Sequence, residues 1–320
     1  MEYRLLGRTG LRVSVIGFGA SPLGNEFGPA DFDECARAVH FAIDQGINYF
    51  DVAPYYGRTL AEERLGRALE GRRDRVILAT KCGRYGKDVS ECDYSAARVT
   101  RSIDESLMRL RTDHVDVLQV HDVEMVADPV QIVTETIPAL RRLQQAGKCR
   151  WVGITGLPLK LLRYIAARAA VDTVLSFCRY NLMADDLDQV LTPLCRKQQI
   201  GLINASPLHM RILTDKGPPD WHPAPQAVKA AGRAVVDLCR GRGMEASTVA
   251  MRFCLDHPYV STTLVGMSKP AHVQANLRAL AMKNDPALLA EIAKIVAPVK
   301  NVLWMQGRPE NNDQNWRRDR

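Results

Sequence analysis

The 320-residue chain has no apolar run as long as a bilayer span, and its first residues lack the basic-then-apolar layout of a secretory signal. Its eight cysteines are scattered, without a Cys-x-x-Cys pair and without a Cys/His cluster at the spacing of metal ligands. These absences argue against a membrane protein, a disulfide scaffold and a metal centre. We therefore expect a cytoplasmic protein with reduced thiols, no membrane partner and no bound metal.

A stretch that combines basic and aromatic residues, as a nucleic-acid-binding surface would, is also missing. The formal net charge is +7, but the Lys and Arg residues are interspersed with Asp and Glu. The sequence therefore predicts a solvated basic surface and no nucleic-acid partner.

Neither a linker nor a change of composition divides the chain. Its 46% hydrophobic and 25% charged residues are ordinary proportions for a globular protein. We expect residues 1–320 to form one domain that ends in a polar tail over about 301–320, loosely ordered after Trp304.

Short apolar segments alternate with amphipathic helical segments, which is the pattern of βα units around a parallel sheet. Predicted strands lie at 15–19, 47–51, 76–81, 115–121, 149–154, 173–177, 201–204 and 261–265. Predicted helices lie at 31–45, 60–69, 95–110, 129–145, 157–169, 187–198, 228–240, 247–256 and 271–280. The pattern predicts an α/β fold, a (β/α)8 TIM barrel, with an extra C-terminal helix at 288–295.

A proline-rich stretch at 208–227 interrupts the alternation and predicts a long irregular loop. A long loop at the active-site end of a barrel usually clamps a cofactor or a substrate.

Polar residues stand where three predicted strands end. Asp51, Lys81 and His121 occupy these ends, and Tyr56 lies in the loop five residues after Asp51. The carboxyl ends of barrel strands meet at one rim, so we expect the four side chains to lie together. A tyrosine pKa is ordinarily about 10, and a nearby ammonium favours the phenolate and lowers that pKa. Tyr56 would then transfer a proton, Asp51 would hold Lys81, and His121 would orient the reacting oxygen.

Each of these residues also has a simpler explanation. A tyrosine beside a proline commonly packs, an aspartate caps a turn, a lysine is solvated, and a strand-terminal histidine is a satisfied core residue. Three of them at successive strand ends, with the tyrosine in the loop after the first, favour catalysis over four separate structural roles.

The four residues and their order resemble the catalytic tetrad of the aldo-keto reductases. Longer segments are similar to the plant-type L-galactose dehydrogenases and related NAD-dependent aldose 1-dehydrogenases, namely residues 17–24, 79–85, 153–158, 205–208 and 264–268. The resemblance implies that a hairpin around residues 7–10 plugs the barrel. It also implies oxidation of the anomeric carbon of L-galactose, or next of L-fucose or D-arabinose, to the aldonolactone. Whether this serves ascorbate synthesis or sugar breakdown stays open.

The expected cofactor is NAD, although a Rossmann fingerprint is absent because Pro22 stands where G-x-G-x-x-G needs its last glycine. Relatives that prefer NADP carry a lysine and an arginine where this chain has Gly266 and His272, with only Lys269 nearby. By resemblance, the cofactor contacts are Gly19, Ala20, Asp51, Thr155, Gly156, Ser206, Pro207, Leu208, Gly266, Ser268, His272 and Asn276. Gly19 fits an ordinary turn glycine equally well.

Two positions depart from the common pattern of the superfamily. Ala205 replaces the aromatic residue that stacks on the nicotinamide, and Thr155-Gly156 replaces the Ser-Asn pair that holds the carboxamide. Both changes occur in the plant-type subgroup. Which groups grip the nicotinamide is left open.

The sugar is expected to contact Tyr56 and His121 together with Trp221 and His222. Arg84 and Arg179 are further candidates for the pocket wall, and for all four added residues a surface position is the alternative. We expect a monomer or a weak homo-oligomer. The alternative functions are an NAD(P)H-dependent reductase of aldehydes or ketones, and a non-catalytic cofactor-binding sensor or auxiliary subunit.

Overall fold

Eight parallel strands close into a barrel, and a short antiparallel hairpin precedes them. The structure is a computed structural model that describes residues 1–317. The hairpin strands are β1 (Tyr3–Leu5) and β2 (Arg12–Ser14). The barrel strands are β3 (Ile16–Gly19), β4 (Tyr49–Asp51), β5 (Ile77–Cys82), β6 (Val115–Val120), β7 (Cys149–Gly156), β8 (Thr173–Phe177), β9 (Gly201–Ala205) and β10 (Thr262–Gly266). Each strand pairs with the next, and β10 pairs with β3 to close the barrel.

The hairpin fills the amino-terminal end of the barrel. Leu6, Leu11 and Val13 are buried in one cluster with barrel residues that include Tyr49 and Val117. This packing confirms the predicted plug. It leaves the opposite end, where the strands finish, as the end that can carry chemistry.

Helices surround the barrel as the apolar periodicity predicts. They are α1 (Phe32–Asp44), α2 (Leu60–Ala68), α3 (Ala96–Leu110), α4 (Pro129–Gln131), α5 (Ile137–Gln145), α6 (Leu159–Arg168), α7 (Asp186–Val190), α8 (Thr192–Gln198), α9 (Gln226–Gly241), α10 (Ala246–Leu255), α11 (Pro270–Ala281) and α12 (Pro286–Val296). The Ser95 side chain accepts a hydrogen bond from the Arg98 amide and caps α3, as expected. The extra C-terminal helix is α12, whose Leu288, Ile292 and Val296 share an apolar cluster with α9.

The predicted helix 129–145 contains a π-helical turn at Ile132–Thr136 between α4 and α5. Pro138 explains it, since proline has no amide hydrogen and its ring clashes with the carbonyl four residues earlier. The predicted helix 187–198 likewise divides into α7 and α8, and a proline lies in the first turn of α8. Within residues 1–317, no helix is both long enough and apolar enough to cross a membrane.

The prediction of a loosely ordered tail is wrong over residues 304–317. Asn311 and Trp316 are buried, and the Trp316 ring lies edge-on to Tyr164 at 5.3 Å between centroids. Asn311 donates to the carbonyls of Glu124 and Val126 at 3.1 and 2.8 Å. The polar side chains of the tail therefore satisfy backbone groups of the barrel loops. Residues 318–320 of the predicted tail lie outside the described range.

Candidate active site

Three neighbouring strands deliver the predicted tetrad to one rim. Asp51 is the last residue of β4, Lys81 lies one residue before the end of β5, and His121 directly follows β6. The His121 amide donates to the Cys82 carbonyl at 2.8 Å, so the ladder between β5 and β6 continues to the histidine. Tyr56 lies in the turn that leaves β4. The shared direction of parallel strands thus brings together the four residues predicted from the sequence.

Lys81 is the centre of this group. Its buried ammonium forms an ion pair with Oδ1 of Asp51, donates to the Val52 carbonyl at 2.9 Å and reaches the Tyr56 hydroxyl at 3.3 Å. On the other side of Asp51, the amide of Gln119 donates to Oδ2 at 2.9 Å. The ammonium is therefore held between a carboxylate and a phenol.

The protonation states follow from burial and charge. Burial raises the pKa of Tyr56 to about 12, and the Lys81 ammonium offsets this only in part. Burial also raises the pKa of Asp51, against the lowering by Lys81 and Gln119. Burial alone would lower the pKa of Lys81, but Asp51 and Tyr56 raise it overall, so the amine is charged. The expectation that Lys81 would bring the Tyr56 pKa below its ordinary value is wrong for this structure, because burial has the larger effect.

His121 is neutral and faces Tyr56. Burial lowers its pKa to about 3, against the raising effect of Asp122. Its ring lies edge-on to the rings of Tyr55 and Tyr56 at 5.8 and 5.6 Å. Its Nδ1 is buried and has no hydrogen-bond partner among the described residues. A neutral imidazole beside the phenol can therefore share a hydrogen bond with an oxygen placed next to Tyr56.

A buried ion pair between Arg84 and Asp122 flanks His121, and sequence reasoning missed the aspartate. Asp122 has a left-handed φ of 45°, and its Oδ2 lies 3.8 Å from Nε2 of His121. The Arg84 guanidinium lies 4.0 Å above the centre of the Tyr55 ring. The structure thus places Arg84 at the rim, although paired rather than free. An acidic residue directly after a strand-terminal histidine was the available signal.

The other three candidates for the sugar pocket have different surroundings. Arg179 donates to the Leu157 carbonyl at 3.0 Å and pairs with Asp186 at 3.0 Å and with Asp313 of the tail. Both ring nitrogens of His222 lie within hydrogen-bond distance of backbone atoms, at 3.2 Å from the His209 carbonyl and 3.1 Å from the Ala224 amide. In this structure the polar groups of Arg179 and His222 therefore bind other parts of the protein.

Trp221 is 52% exposed and its ring lies 5.8 Å from that of Phe27. Phe27 belongs to the loop after β3, whereas Trp221 belongs to the predicted irregular loop after β9. The structure therefore connects these two loops through an aromatic contact at the rim.

The predicted cofactor residues occupy the ends of the strands, the loops after them and the first two turns of α11. Gly19 and Gly266 are register partners on β3 and β10, and a Cβ on Gly19 would lie 3.1 Å from the Val265 carbonyl oxygen. The Ala20 amide donates to the Asp51 carbonyl at 2.8 Å. A side chain at Gly19 would therefore crowd the backbone of the neighbouring strand.

Thr155 and Gly156 at the end of β7 contact the loop after β6. The Thr155 hydroxyl accepts from the Asp122 amide at 3.0 Å, and a Cβ on Gly156 would lie 2.6 Å from Oε2 of Glu124. In the described chain these two residues thus support the loop that follows His121.

The loop after β9 begins with Ser206, Pro207 and Leu208, and Ser206 has a φ of 59° while its amide donates to the Leu264 carbonyl at 3.2 Å. Leu208 packs on the apolar core.

The start of α11 carries the predicted adenine-side residues Ser268, His272 and Asn276. In the part of the chain that the structure describes, the N-cap residue Lys269 makes no side-chain cap hydrogen bond, and the Ser268 amide lies 3.4 Å from Nδ1 of the exposed His272. The Lys269 ammonium, the only lysine of this segment, pairs with Glu34 at 2.9 Å. An uncapped helix start beside glycine-lined strand ends fits the phosphates of a dinucleotide.

Comparison with known proteins agrees with this geometry. The model of the aldo/keto reductase family matches residues 15–297. An L-galactose dehydrogenase from Arabidopsis thaliana is 45% identical over 97% of this chain and 99% of its own length. A D-threo-aldose 1-dehydrogenase from a Pseudomonas species is 28% identical over 89% and 94%. A solved aldo-keto reductase from Bacillus halodurans superposes with a TM-score of 0.76 at 26% identity, covering 96% of this chain and 98% of that one. The chain is therefore an oxidoreductase of the aldo/keto reductase family.

Proposed function

We propose that the protein is an NAD-dependent aldose 1-dehydrogenase that oxidises L-galactose, or a sugar of related ring stereochemistry such as L-fucose, to the aldonolactone. The observation that carries the proposal is the Lys81 ammonium, held by Asp51 and 3.3 Å from the Tyr56 hydroxyl at the barrel rim. The 45% identity to an L-galactose dehydrogenase supports the choice of sugar.

The tetrad side chains divide the work of oxidation. Tyr56, as phenolate, accepts the proton of the sugar C1 hydroxyl, and the charge of Lys81 stabilises that phenolate. Neutral His121 hydrogen-bonds the same oxygen and orients it. A bound nicotinamide cofactor supplies the acceptor for the hydride that leaves C1. Loss of the hydride and of the hydroxyl proton converts the C1–OH group of the ring into the lactone carbonyl.

NAD is the proposed cofactor because the adenine-side segment offers little positive charge. Gly266 has no side chain, and Lys269 already pairs with Glu34 at 2.9 Å. A 2′-phosphate needs cationic partners in such a position, whereas a 2′-hydroxyl does not. The proposed contacts are the twelve cofactor residues predicted from the sequence.

Reduction of an aldehyde or ketone is the second candidate, and the pKa of Tyr56 favours it. With that pKa raised to about 12, the tyrosine is a protonated phenol near neutral pH. A protonated phenol is the form that donates to a carbonyl oxygen during reduction. The two functions can be distinguished by the preferred cofactor, NAD or NADP, and by the preferred direction of the reaction, oxidation or reduction.

The test is a panel of L- and D-aldoses with NAD or NADP, followed by formation of the reduced cofactor. The proposal expects NAD-dependent oxidation, with L-galactose among the best substrates. Tyr56→Phe should abolish turnover and keep cofactor binding. Tyr164→Phe, which removes a hydroxyl on α6 far along the chain from the tetrad, is the matched control and should keep full activity. A strong NADP preference would favour the reductase, and tight cofactor binding without turnover would favour a sensor or auxiliary subunit.

We further propose that the chain forms one domain and acts in the cytoplasm, as a monomer or weak homo-oligomer. The eight cysteines are free thiols, seven of them buried, which suits a reducing compartment.

A further inference from the structure

We propose that Gln119 is a positioning residue, which holds Asp51 in the orientation that fixes Lys81 and thereby controls the contact between Lys81 and Tyr56. The inference rests on the proposed function, because it assumes that the tetrad transfers the proton.

Gln119 is the second side chain that binds the Asp51 carboxylate, beside Lys81. It is fully buried on β6, and its Nε2 donates to Oδ2 of Asp51 at 2.9 Å while Oδ1 faces Lys81. In the β5–β6 register Gln119 stands directly beside Lys81. The carboxylate is thus bound from two sides by side chains of adjacent rigid strands, which fixes its position better than one ion pair does.

The strand on the other side of Gln119 leaves room for its side chain. Gly153 is its register partner on β7, and a Cβ there would lie 3.2 Å from Cγ of Gln119 and 2.1 Å from the Thr173 hydroxyl oxygen. A larger residue at position 153 would push into this space. Gly153 and Gln119 therefore belong to one arrangement that lets a long amide reach Asp51.

The hydrogen bonds of the amide argue for a role beyond stability. Oε1 of Gln119 is buried and has no hydrogen-bond partner within residues 1–317, and an unsatisfied buried acceptor is unfavourable. A 180° rotation of the amide group cannot give Oε1 a partner, because the carboxylate accepts from Nε2 and would repel Oε1. A leucine or methionine would suit this apolar strand better, so the amide is best explained by its contact with Asp51.

Loss of the Gln119 donor leaves Oδ2 of Asp51 unbound. The carboxylate can then turn within the barrel, and the ammonium that it holds loses its fixed distance of 3.3 Å from Tyr56. We expect this to reduce the rate of proton transfer and to leave most of the cofactor binding energy intact, since eleven of the twelve proposed cofactor contacts, all except Asp51, lie elsewhere along the chain.

Two substitutions test the proposal. Gln119→Met keeps the length of the side chain without a donor, and should lower kcat for sugar oxidation by roughly tenfold or more with little change in KM for NAD. Gln119→Glu restores a donor only while the introduced carboxyl is protonated, and burial beside Asp51 raises the pKa of that carboxyl. Its activity should approach that of the wild type at low pH. As pH rises, ionisation repels Asp51 and should produce a descending limb that the wild-type profile lacks.

Thr262→Val is the matched control, because Thr262 is another buried barrel residue, and its hydroxyl has no hydrogen-bond partner in the described range. It should leave kcat and the pH profile unchanged. Wild-type kcat in Gln119→Met, or a Gln119→Glu profile that superimposes on the wild type, overturns the proposal. If Gln119→Met does not fold, the Gln119→Glu profile decides. A wild-type chain that oxidises no aldose has failed the proposed function instead, and the variants are then compared in carbonyl reduction.

Discussion

Replacing Asp313 by alanine should weaken the attachment of the C-terminal segment to the barrel and so destabilise the protein. The carboxylate of Asp313 accepts from the amides of Leu159 and Lys160 at 3.2 and 2.8 Å, and so caps α6. It also pairs with Arg179, whose side chain is only 6% exposed. One residue of the tail thus binds two free amides at the start of a helix and also neutralises a buried cation.

The magnitude follows from these two contacts. Loss of a helix cap costs about 1 kcal/mol. Loss of a charge-assisted hydrogen bond to Arg179 costs about 1.5–3 kcal/mol, since that guanidinium keeps Asp186 as its second partner. Asp313→Ala should therefore lower the free energy of unfolding by roughly 3 kcal/mol.

The assay is equilibrium unfolding in urea, with the slope checked for equality between variants. Asp313→Asn keeps an oxygen for the helix cap and removes the charge, so its loss should fall between the wild type and Asp313→Ala. Glu310→Ala removes an exposed carboxylate of the same segment and should change stability by less than about 0.5 kcal/mol. Wild-type stability in Asp313→Ala would show that the tail is held by other contacts.

Three further predictions follow from the site. Because the pKa of Tyr56 is raised to about 12, its phenolate becomes more abundant with rising pH, and kcat/KM for sugar oxidation should rise between about pH 7 and 10; a flat profile contradicts this. Burial raises the pKa of Glu124 in the folded protein. Its contribution to stability is therefore fully present below the pKa of the unfolded state and is lost as pH rises through the pKa of the folded state. Glu124→Gln cannot ionise and keeps an oxygen for the amide of Leu157, so its melting temperature relative to that of the wild type should increase as pH rises. The same pH dependence of the melting temperature in both proteins would contradict this. His272→Arg adds a cation at the start of α11 and should shift the kcat/KM ratio toward NADP several-fold, whereas an unchanged ratio would place the 2′-position elsewhere.

The barrel and the tetrad were predictable because their signals are local. Each strand is a short apolar run, and Asp51, Lys81 and His121 mark where three of those runs end. The parallel direction of the strands then brings the three ends together without further information. The π-helical turn was also within reach, since Pro138 alone removes a helical hydrogen bond.

The packed tail was not predictable, because its partners are distant in the sequence. Asp313 caps a helix that begins 154 residues earlier, and Asn311 binds carbonyls about 185 residues away. A run of asparagine, aspartate and glutamine has the composition of a solvated tail, and only the fold shows that its side chains find backbone partners.

The predicted lowering of the Tyr56 pKa was wrong for a different reason. The sequence identifies Lys81 as a charge that lowers this pKa, and the structure agrees about the sign of that contribution. How strongly the phenolate is desolvated depends on packing from several elements, which no local pattern records. A residue list therefore indicates which charges interact, whereas the balance between charge and burial requires coordinates.

The buried pair of Asp51 and Lys81 argues for function over stability. Both side chains are at most 5% exposed, and withdrawing two charges from water costs more than their attraction commonly returns. Apolar side chains of similar volume would serve the barrel at least as well. At this rim, however, the pair keeps an ammonium charged 3.3 Å from a phenol, where its charge offsets part of the rise in the phenol's pKa that burial causes. A buried charge that is costly for the fold and lies beside a titratable phenol supports the proposed role of the tetrad in proton transfer.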